Sequence, residues 1–486
     1  MKRLTKLKLL YSLVIILVGF SCSGTKSEAK STAKSVAVNT SNRAQQPPNV
    51  IIILTDDQGY NDVSFNGSPD IKTPNIDRIA NNGVRFSNGY VSYAVCGPSR
   101  AGLLTGRYQD RFGFSRNPLF APKDSLQGLP TSEITLAKTL QSGGYRTMAL
   151  GKWHLGAYKS QRPLKRGFDE FYGFLTGGHQ YFPDRLKIND ISGVKSQGGA
   201  YATKILRNDK RVEEKEYLTD GLSREAVSFV ERNTKNPFFM YLAYNAPHAP
   251  LQATEKYLSR YKNIKDKKRR TYAAMISAVD DGVGKLLDKL DELHLTENTI
   301  VFFLSDNGGP KHTTANNTPF RGYKGSMFEG GIHVPFAVQW PGTLPKGVVY
   351  DKPIISLDIF ATAVAQANIT PKHSIDGVNL IPYLTGKNDG YPHEYLYWRM
   401  YDKKSFAIRN RDMKLMDEKD SGMMLFNLDK DLSEQHPITD KATEKRLKDL
   451  HTQWNSKNKK PVFLGLFDNK EYNELHPDRF KDGEKY

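Results

Sequence analysis

The stretch CGPSRAGLLTGR, at residues 96–107, is the most informative part of this chain. Pro98 suits the first turn of a helix, where its missing N–H is not needed, and Gly106 can cap the other end. Cys96 is therefore predicted at a helix N-terminus, where free N–H groups and the helix dipole favour an anion. Arg100, one helical turn further on, can fold back toward it. A lone cysteine is usually a small buried hydrophobe, but this placement favours a reactive group.

The same residues resemble a family signature. The order Cys-x-Pro-Ser-Arg followed by Leu-Thr-Gly-Arg is similar to the motif of the type I sulfatases, members of the alkaline phosphatase superfamily, and the resemblance extends over residues 48–455. It implies an α/β fold: a large mixed, mostly parallel sheet flanked by helices (alkaline phosphatase-like), with a smaller C-terminal α+β subdomain. It also implies that a formylglycine-generating or anaerobic maturase enzyme oxidises Cys96 to formylglycine (3-oxoalanine), whose hydrate is the nucleophile.

Two adjacent carboxylates follow a predicted buried strand. NVIIILT, at residues 49–55, is a continuous apolar run typical of a parallel strand, and Asp56 and Asp57 come directly after it. These carboxylates would repel each other unless a hard cation lies between them, although a solvated turn is also possible. A second apolar run ends in Asp306 and Asn307, which would complete an all-oxygen site suited to Ca²⁺ or Mg²⁺. The resemblance implies one Ca²⁺ per chain, held by Asp56, Asp57, Cys96, Asp306 and Asn307.

Basic side chains at strand ends form a second group of candidates. The block GKWHLG places Lys152 and His154 two residues apart at the end of a predicted strand, so they point to the same side and can hold a tetrahedral oxyanion. His248 lies between prolines after another strand. The resemblance implies that Lys152, Lys324 and His248 bind the sulfate group and that His248 is also the general acid. It further implies that Arg100 orients residue 96 and that His154 hydrogen-bonds the second hydroxyl of its hydrate.

The stretch after Phe182, with the residues directly before it, is the candidate specificity segment. It is basic, contains glycine and lacks periodicity as far as Glu216, and loops of this kind often carry specificity. His179, Tyr181 and Arg185 are the candidate substrate contacts, and an equally good interpretation is that they only pack the loop. His333 stands where many sulfatases have arginine, and we assign it no role.

The N-terminus is typical of an export signal. Residues 1–22 combine a basic start with an apolar run and then small residues before Cys22, in a lipobox-like order. The run is too short for a comfortable membrane span. We therefore expect an exported protein, periplasmic or anchored to the outer membrane as a lipoprotein through lipid on Cys22. Residues 23–46 are predicted to be a flexible tether. A disulfide between Cys22 and Cys96 is not favoured, because Cys22 would be the processed terminus.

The remaining chain is predicted to contain a catalytic domain at residues 47–347 and a C-terminal subdomain at 348–457. Short strand candidates and a terminal helix after residue 395 indicate that the subdomain has a few antiparallel strands. Residues 458–486 are predicted to form a polar tail.

Charge bears on the substrate. The 486 residues carry a net charge of +18, which favours a polyanionic ligand. No helix-turn-helix, RNA-binding or zinc-finger pattern indicates nucleic acid as a partner. The predicted function is a sulfuric ester hydrolase acting on sulfated algal polysaccharide of the ulvan or carrageenan type. The alternatives are a glycosaminoglycan or aryl sulfatase, a phosphonate or phosphodiester hydrolase of the same superfamily, and a non-catalytic lipoprotein that binds sulfated glycans.

Overall fold

The computed structural model describes residues 47–419 and 421–481. The predicted signal, the lipobox-like Cys22 and the tether lie outside these residues. Within them, no helix combines the length and the apolar character needed to cross a bilayer.

The described residues form strands and helices in alternation through most of the chain. The strands are β1 (Asn49–Thr55), β2 (Val84–Phe86), β3 (Gly89–Tyr90), β4 (Arg146–Lys152), β5 (Glu170–Phe174), β6 (Ile205–Arg207), β7 (Lys210–Val212), β8 (Phe238–Ala243), β9 (Thr299–Ser305), β10 (Phe336–Gln339), β11 (Val348–Tyr350), β12 (Ile354–Ile355), β13 (Leu396–Met400), β14 (Ser405–Asn410), β15 (Met413–Glu418) and β16 (Gly422–Asn427). The helices are α1 (Pro74–Asn81), α2 (Cys96–Thr105), α3 (Leu136–Ser142), α4 (Leu218–Arg232), α5 (Glu255–Leu258), α6 (Lys267–Glu292), α7 (Glu329–Ile332), α8 (Asp358–Gln366), α9 (Ile381–Leu384), α10 (Lys441–Asn455) and α11 (Asn469–Leu475).

A ten-stranded sheet in the order β11-β2-β10-β9-β1-β8-β4-β5-β6-β7 is the centre of the fold. Its five middle strands, β9, β1, β8, β4 and β5, run parallel. Antiparallel pairing begins at β10 on one side and at β6 on the other. The predicted large, mixed and mostly parallel sheet is therefore confirmed.

Helices cover both faces of this sheet, which explains why its central strands are apolar without alternation. Every residue of β1 is buried. Ile51 and Ile53 pack into the core beneath α1, α4 and α6, whereas Ile52 and Leu54 pack into the opposite core with α2, α3 and α8. The parallel register places the carboxyl ends of β1, β4, β8 and β9 along one edge of the sheet.

Gly151 shapes that edge. Its φ of 85° lies in the left-handed region, and a Cβ atom there would meet the carbonyl oxygen of Ala243 at 2.1 Å. Only glycine therefore allows β4 to run this close to β8 and still deliver Lys152 to the end of the strand.

The second sheet, β13-β14-β15-β16, is antiparallel throughout, and α10 packs against it. The predicted small α+β subdomain is thus confirmed. Val348–Tyr350, which follows the predicted boundary at residue 347, instead pairs with β2 at the edge of the large sheet. The division of the chain at this residue stays a prediction.

The predicted polar tail is packed onto the rest of the protein as far as it is described. Tyr472 and Arg479 are buried, and Arg479 Nε donates to the carbonyl of Phe120 at 2.9 Å. The polar composition of this segment did not indicate that it packs onto the protein, because only a few widely spaced side chains anchor it.

A buried ion cluster links the region of the large sheet with the second sheet. Lys414, on β15, donates to Glu329 at 2.8 Å and to Glu434 at 2.7 Å, and all three side chains are fully buried. Glu329 begins α7, which lies directly before strand β10 of the large sheet. A single buried ammonium therefore neutralises carboxylates from both parts of the chain.

We expect Lys414→Met to lower the free energy of unfolding by about 3–5 kcal/mol, because the change leaves two buried carboxylates without their cation. Urea denaturation measures the effect. Lys441→Met removes an exposed lysine paired with Glu444 and serves as the control, with no measurable change expected. Equal unfolding curves for the two variants would contradict the structural role of the cluster.

Candidate active site

Acidic and amide side chains meet where β1 and β9 end. Asp56 and Asp57 follow β1, Asp306 and Asn307 follow β9, and all four are buried. The backbone N–H of Asp57 donates to Asp306 Oδ1 at 3.2 Å, and Asn307 Nδ2 donates to Asp57 Oδ1 at 2.7 Å. Burial and the negative charge of Asp56 raise the pKa of Asp306 above its usual range. The crowded carboxylates therefore favour a bound cation.

Cys96 opens helix α2 at this same edge, as the sequence predicts. The side chain is buried, and burial raises the pKa of its thiol to about 12. The N–H of Gly97 donates to Asn117 Oδ1 at 2.8 Å, and Gly106 ends the helix with a φ of 65°. An unmodified thiol at this position stays protonated at neutral pH and is a weak nucleophile.

Arg100 lies one turn along α2 and is completely buried. Its Nε and Nη2 atoms both lie 2.8 Å from Asp306 Oδ2, and Nη1 donates to the carbonyl of Lys152 at 3.1 Å. This guanidinium ties the cysteine helix to the ends of β9 and β4.

Two lysines compensate the buried carboxylates. Lys152 Nζ lies 2.6 Å from Asp56 Oδ2, and Lys324 Nζ lies 2.6 Å from Asp57 Oδ1. Lys324 Nζ also lies 3.2 Å from Cys96 Sγ. Burial alone would raise the pKa of Asp57, but Lys324, His248 and Lys152 outweigh it and hold that pKa well below its usual range. The two lysines therefore place positive charge close to residue 96.

Two histidines complete the cluster. His248 Nε2 lies 3.6 Å from Asp57 Oδ2, and its Nδ1 lies 2.6 Å from the carbonyl oxygen of Ala249. Burial lowers the pKa of His248 to about 3 despite the carboxylate of Asp57, because two lysines are also near. Burial and the same lysines hold the pKa of His154 well below its usual range. Both ring nitrogens of His154 are buried and lack a hydrogen-bond partner among the described residues, so they are free to bond a bound group.

The arrangement fits a hard cation. Ligand atoms of Asp56, Asp57, Cys96 and His248 all lie within 4.8 Å of one another. Asp56 Oδ1 and Asn307 Oδ1 are buried and have no hydrogen-bond partner in the described part of the chain. Unpaired buried oxygens are costly, and carboxylate and amide oxygens are the ligands that Ca²⁺ and Mg²⁺ prefer. The predicted metal residues are thus brought together, and His248 joins them although the sequence did not indicate it as a ligand.

Among the three loop candidates, His179 is buried against the ring of Phe174, and its Nδ1 is hydrogen-bonded to the carbonyl of Tyr201. Its Nε2 is buried and has no hydrogen-bond partner among the described residues. Arg185 is exposed, and it lies 3.7 Å from Asp184. The roles of His179 and Arg185 as substrate contacts stay predictions.

Tyr181 is also buried, and it contacts the backbone of the loop that carries His248. Its hydroxyl oxygen lies 2.7 Å from the carbonyl oxygens of both Asn245 and His248. The side chain thus fixes the loop that carries His248, and it has no exposed surface for a substrate. His333, to which no role was assigned, is buried between Glu329 and the carbonyl of Ser87.

Sequence reasoning missed several residues around the cluster. Both polar side-chain atoms of Asn245 are buried and lack a partner among the described residues. Tyr201 belongs to the loop, and burial raises its pKa while the charges of Lys152 and Cys96 also act on it. The position of Asn245 after a buried strand, like that of Asp56, was an available signal. No comparable sequence signal marks Tyr201, because its segment lacks periodicity.

A cavity of about 720 Å³ opens beside this cluster. Lys324, Asn117 and Val95, the residue before Cys96, all line it. Lys324 thus belongs both to the cluster and to the lining of a space large enough for a drug-sized ligand.

Comparison with known proteins gives concordant matches. A family model described as "Sulfatase" matches residues 48–369, and one described as "N-sulphoglucosamine sulphohydrolase, C-terminal" matches residues 322–460. Human (Homo sapiens) N-acetylgalactosamine-6-sulfatase is 37% identical over 355 residues, which are 70% of this chain and 66% of that protein. The uncharacterized sulfatase YdeN of Escherichia coli strain K12 is 35% identical over 393 residues, 72% of this chain and 68% of that protein. The chain spans about two thirds of the length of these curated relatives.

Solved structures are also similar. The crystal structure of Ps i-CgsB is 40% identical with a TM-score of 0.83, covering 90% of this chain and 100% of that chain. The same protein has been solved in complex with k-i-k-neocarrahexaose. The phosphonate monoester hydrolase of Agrobacterium radiobacter, 20% identical with a TM-score of 0.59 over 84% of this chain and 94% of that one, shares the fold.

We expect Tyr181→Phe to lower the free energy of unfolding by about 1–3 kcal/mol, because the single hydroxyl proton shared by the buried carbonyls of Asn245 and His248 is lost, and the carbonyl of Asn245 keeps only the N–H of His248. Chemical denaturation monitored by tryptophan fluorescence measures the change. Tyr391→Phe, which removes the hydroxyl of an exposed tyrosine, is the matched control. An unchanged stability of Tyr181→Phe would show that this hydroxyl does not hold the His248 loop.

Proposed function

The chain belongs to the sulfatase family, whose named relatives are sulfuric ester hydrolases, and we propose that it hydrolyses sulfate esters of a sulfated carbohydrate. The observation that carries the proposal is the position of Cys96, with Lys324 Nζ 3.2 Å from its sulfur and Asp57 beside that lysine. A nucleophile at residue 96 would meet a substrate whose negative oxygens lie among buried cations.

Maturation of Cys96 to formylglycine is part of the proposal. The buried, protonated thiol is a weak nucleophile, and the sulfur of a sulfate monoester anion resists attack. Oxidation by a formylglycine-generating or anaerobic maturase would convert the side chain to an aldehyde, and its hydrate would supply a hydroxyl nucleophile. Arg100, fixed by Asp306, lies one helical turn away and orients this residue. The free ring nitrogens of His154 can hydrogen-bond a hydroxyl there.

The metal in this proposal is one Ca²⁺ per chain, held by Asp56, Asp57, Asp306 and Asn307 with residue 96. The unpaired Asp56 Oδ1 and Asn307 Oδ1 support it, and so does the all-oxygen donor set. When bound, the ion would supply positive charge to the nucleophile and to a sulfate oxygen.

The remaining side chains bind the sulfate and move the proton. Lys152 and Lys324 neutralise sulfate oxygens, and their pKa values are raised because the surrounding carboxylates outweigh the effect of burial. His248 donates the proton to the leaving alcohol. Its pKa of about 3 belongs to a site without substrate, and the negative charge of a sulfate ester would raise that pKa.

For the carbohydrate, we propose a carrageenan-type oligosaccharide or polysaccharide. The similarity to Ps i-CgsB, solved with k-i-k-neocarrahexaose, favours it over ulvan. The similarity to human N-acetylgalactosamine-6-sulfatase makes a glycosaminoglycan the second candidate. The net charge of +18 is consistent with either polyanion.

We also propose that the protein is exported and attached to a membrane by lipid on Cys22. The support is the order of basic, apolar and small residues in positions 1–22. A periplasmic or outer-membrane location would bring the enzyme to an extracellular polymer.

Sulfate release from carrageenan, ulvan, fucoidan and glycosaminoglycan oligosaccharides tests the reaction. With a coexpressed maturase, we expect the wild type to release sulfate from carrageenan-type oligosaccharides, whereas Cys96→Ala remains folded and releases none. Cys22→Ala replaces the other cysteine of the chain and is expected to keep full activity.

Two results would count against the proposal. Activity in Cys96→Ala would refute the role of residue 96. Failure on every sulfated substrate, with mass spectrometry showing formylglycine at that position, would favour phosphonate or phosphodiester hydrolysis instead.

We expect Asp306→Asn to weaken Ca²⁺ binding by about ten- to a hundredfold, because one anionic ligand is lost while the size of the side chain is kept. Calorimetric titration of metal-stripped protein measures the affinity. Asp358→Asn changes another fully buried aspartate, which bonds Ile355, Val378 and His393 away from the cluster, and is the control. Equal affinities for the two variants would remove Asp306 from the metal site.

A further inference from the structure

The cavity beside the cluster is lined by the loop after β9, which includes Lys311, Tyr323 and Lys324, and by three other parts of the chain. One wall follows α2 and includes Arg116 and Asn117, a second comes from the turn after β13 with Asp402 and Lys403, and the third is the C-terminal arm. We define the C-terminal arm as residues 458–481. It contributes a short segment that includes Phe467.

The arm is held firmly to the segment that follows the cysteine helix. Backbone hydrogen bonds join Lys459 to Asp110 at 2.8 Å, Val462 to Gly113 at 3.1 Å and Leu466 to Asn117 at 3.2 Å. These regularly spaced contacts fix the backbone at the cavity wall. The arm is therefore a built part of the cavity.

Arg116 connects all three walls. Its Nε and Nη2 atoms donate to the two carboxylate oxygens of Asp402 at 2.8 and 2.6 Å, and Nη1 lies 3.3 Å from Asp468 on the arm. Nη1 also donates to the carbonyl of Phe463 at 3.1 Å. A bidentate guanidinium pair gives fixed geometry, so Arg116 holds these three segments in a defined arrangement.

Phe467 is 97% exposed although both of its neighbours along the arm, Leu466 and Asp468, are held in place. Tyr323, which also lines this cavity and is next to Lys324, is 49% exposed. Aromatic rings lose favourable burial when they face water. Two exposed rings that line one cavity are suited to the apolar faces of a sugar.

The charges at the rim are positive. Lys311 and His312 are exposed, and Lys403 is half-buried with its ammonium on the carbonyl of Gly325 at 2.5 Å. The two aspartates of the cavity are already paired with Arg116. Lys311 and Lys403 therefore remain to attract an anionic group on a ligand.

We propose that this cavity is a subsite for the sugar unit adjoining the one that loses its sulfate, with Phe467 as the stacking platform and Lys311 as a contact for a second anionic group. This inference rests on the proposed function, and it specifies the substrate as an oligosaccharide that carries negative charge on neighbouring units. A monosaccharide or a small aryl sulfate would leave the cavity unfilled. The arm, at the end of the chain, would thus determine specificity without touching the reacting atoms.

The test compares two substrates, κ-ι-κ-neocarrahexaose and 4-nitrophenyl sulfate. For Phe467→Ala we expect kcat/KM on the hexasaccharide to fall about tenfold, as for loss of one aromatic anchor, with kcat/KM on 4-nitrophenyl sulfate unchanged. Leu475→Ala alters another exposed apolar residue of the arm that does not line the cavity, and both rates should remain at the wild-type level.

Lys311→Gln tests the second anionic group. We expect its KM for the hexasaccharide to rise about threefold or more, as for loss of one exposed charge contact at low salt, and its rate on 4-nitrophenyl sulfate to stay constant. Lys346→Gln removes an exposed lysine outside the cavity and is the control. Equal losses on both substrates, or none on the hexasaccharide, would overturn the subsite.

A binding experiment separates failure of the subsite from failure of the proposed function. Calorimetry measures binding of the same hexasaccharide to Cys96→Ala and to Cys96→Ala combined with Phe467→Ala. Weaker binding in the double variant supports the subsite even if the wild type releases no sulfate, a result that would refute only the reaction. Equal binding, or no binding by either protein, refutes the subsite.

Discussion

Compensation of charge inside a buried site is the constraint on which this structure depends. Asp56, Asp57 and Asp306 are buried at one sheet edge, where unpaired carboxylates would be strongly destabilising. Lys152, Lys324 and Arg100 neutralise them through contacts of 2.6 to 2.8 Å. These six groups come from strand ends, a helix and a distant loop, so the fold must bring all of them together before any is stable. Formation of the fold and formation of the site therefore depend on the same balance of buried charges.

The same constraint explains what the sequence could predict. The run NVIIILT is continuously apolar because helices cover both faces of β1, and its C-terminal carboxylates must then lie at the sheet edge. Pro98 and Gly106 likewise mark the two ends of the helix that begins at Cys96. Local patterns of this kind determine where a strand or helix ends. They therefore located the cluster of buried charges at the sheet edge, although the roles proposed for its members came from the resemblance to sulfatases.

Features that depend on distant segments could not be predicted. Tyr181 looked like a loop residue available to substrate, yet its hydroxyl contacts the carbonyls of the His248 loop more than sixty residues away. The sequence predicts a polar tail where the arm lies, because the anchors Phe463, Tyr472 and Arg479 are separated by polar residues. Neither segment has a periodicity of two or 3.6 that would indicate a buried face. Their positions follow from tertiary contacts alone.

These two classes of feature correspond to two tasks. Side chains at the ends of parallel strands are held by a rigid, doubly covered sheet, which suits groups that must meet a reacting atom within tenths of an ångström. The cavity beside them is lined by the loop after β9 and by the segment after α2, the second sheet and the arm, and Arg116 joins the last three. Changes in the arm can reshape that cavity while Asp57, Lys324 and Cys96 keep their geometry. The lining of the cavity can therefore vary independently of the buried charges at the sheet edge.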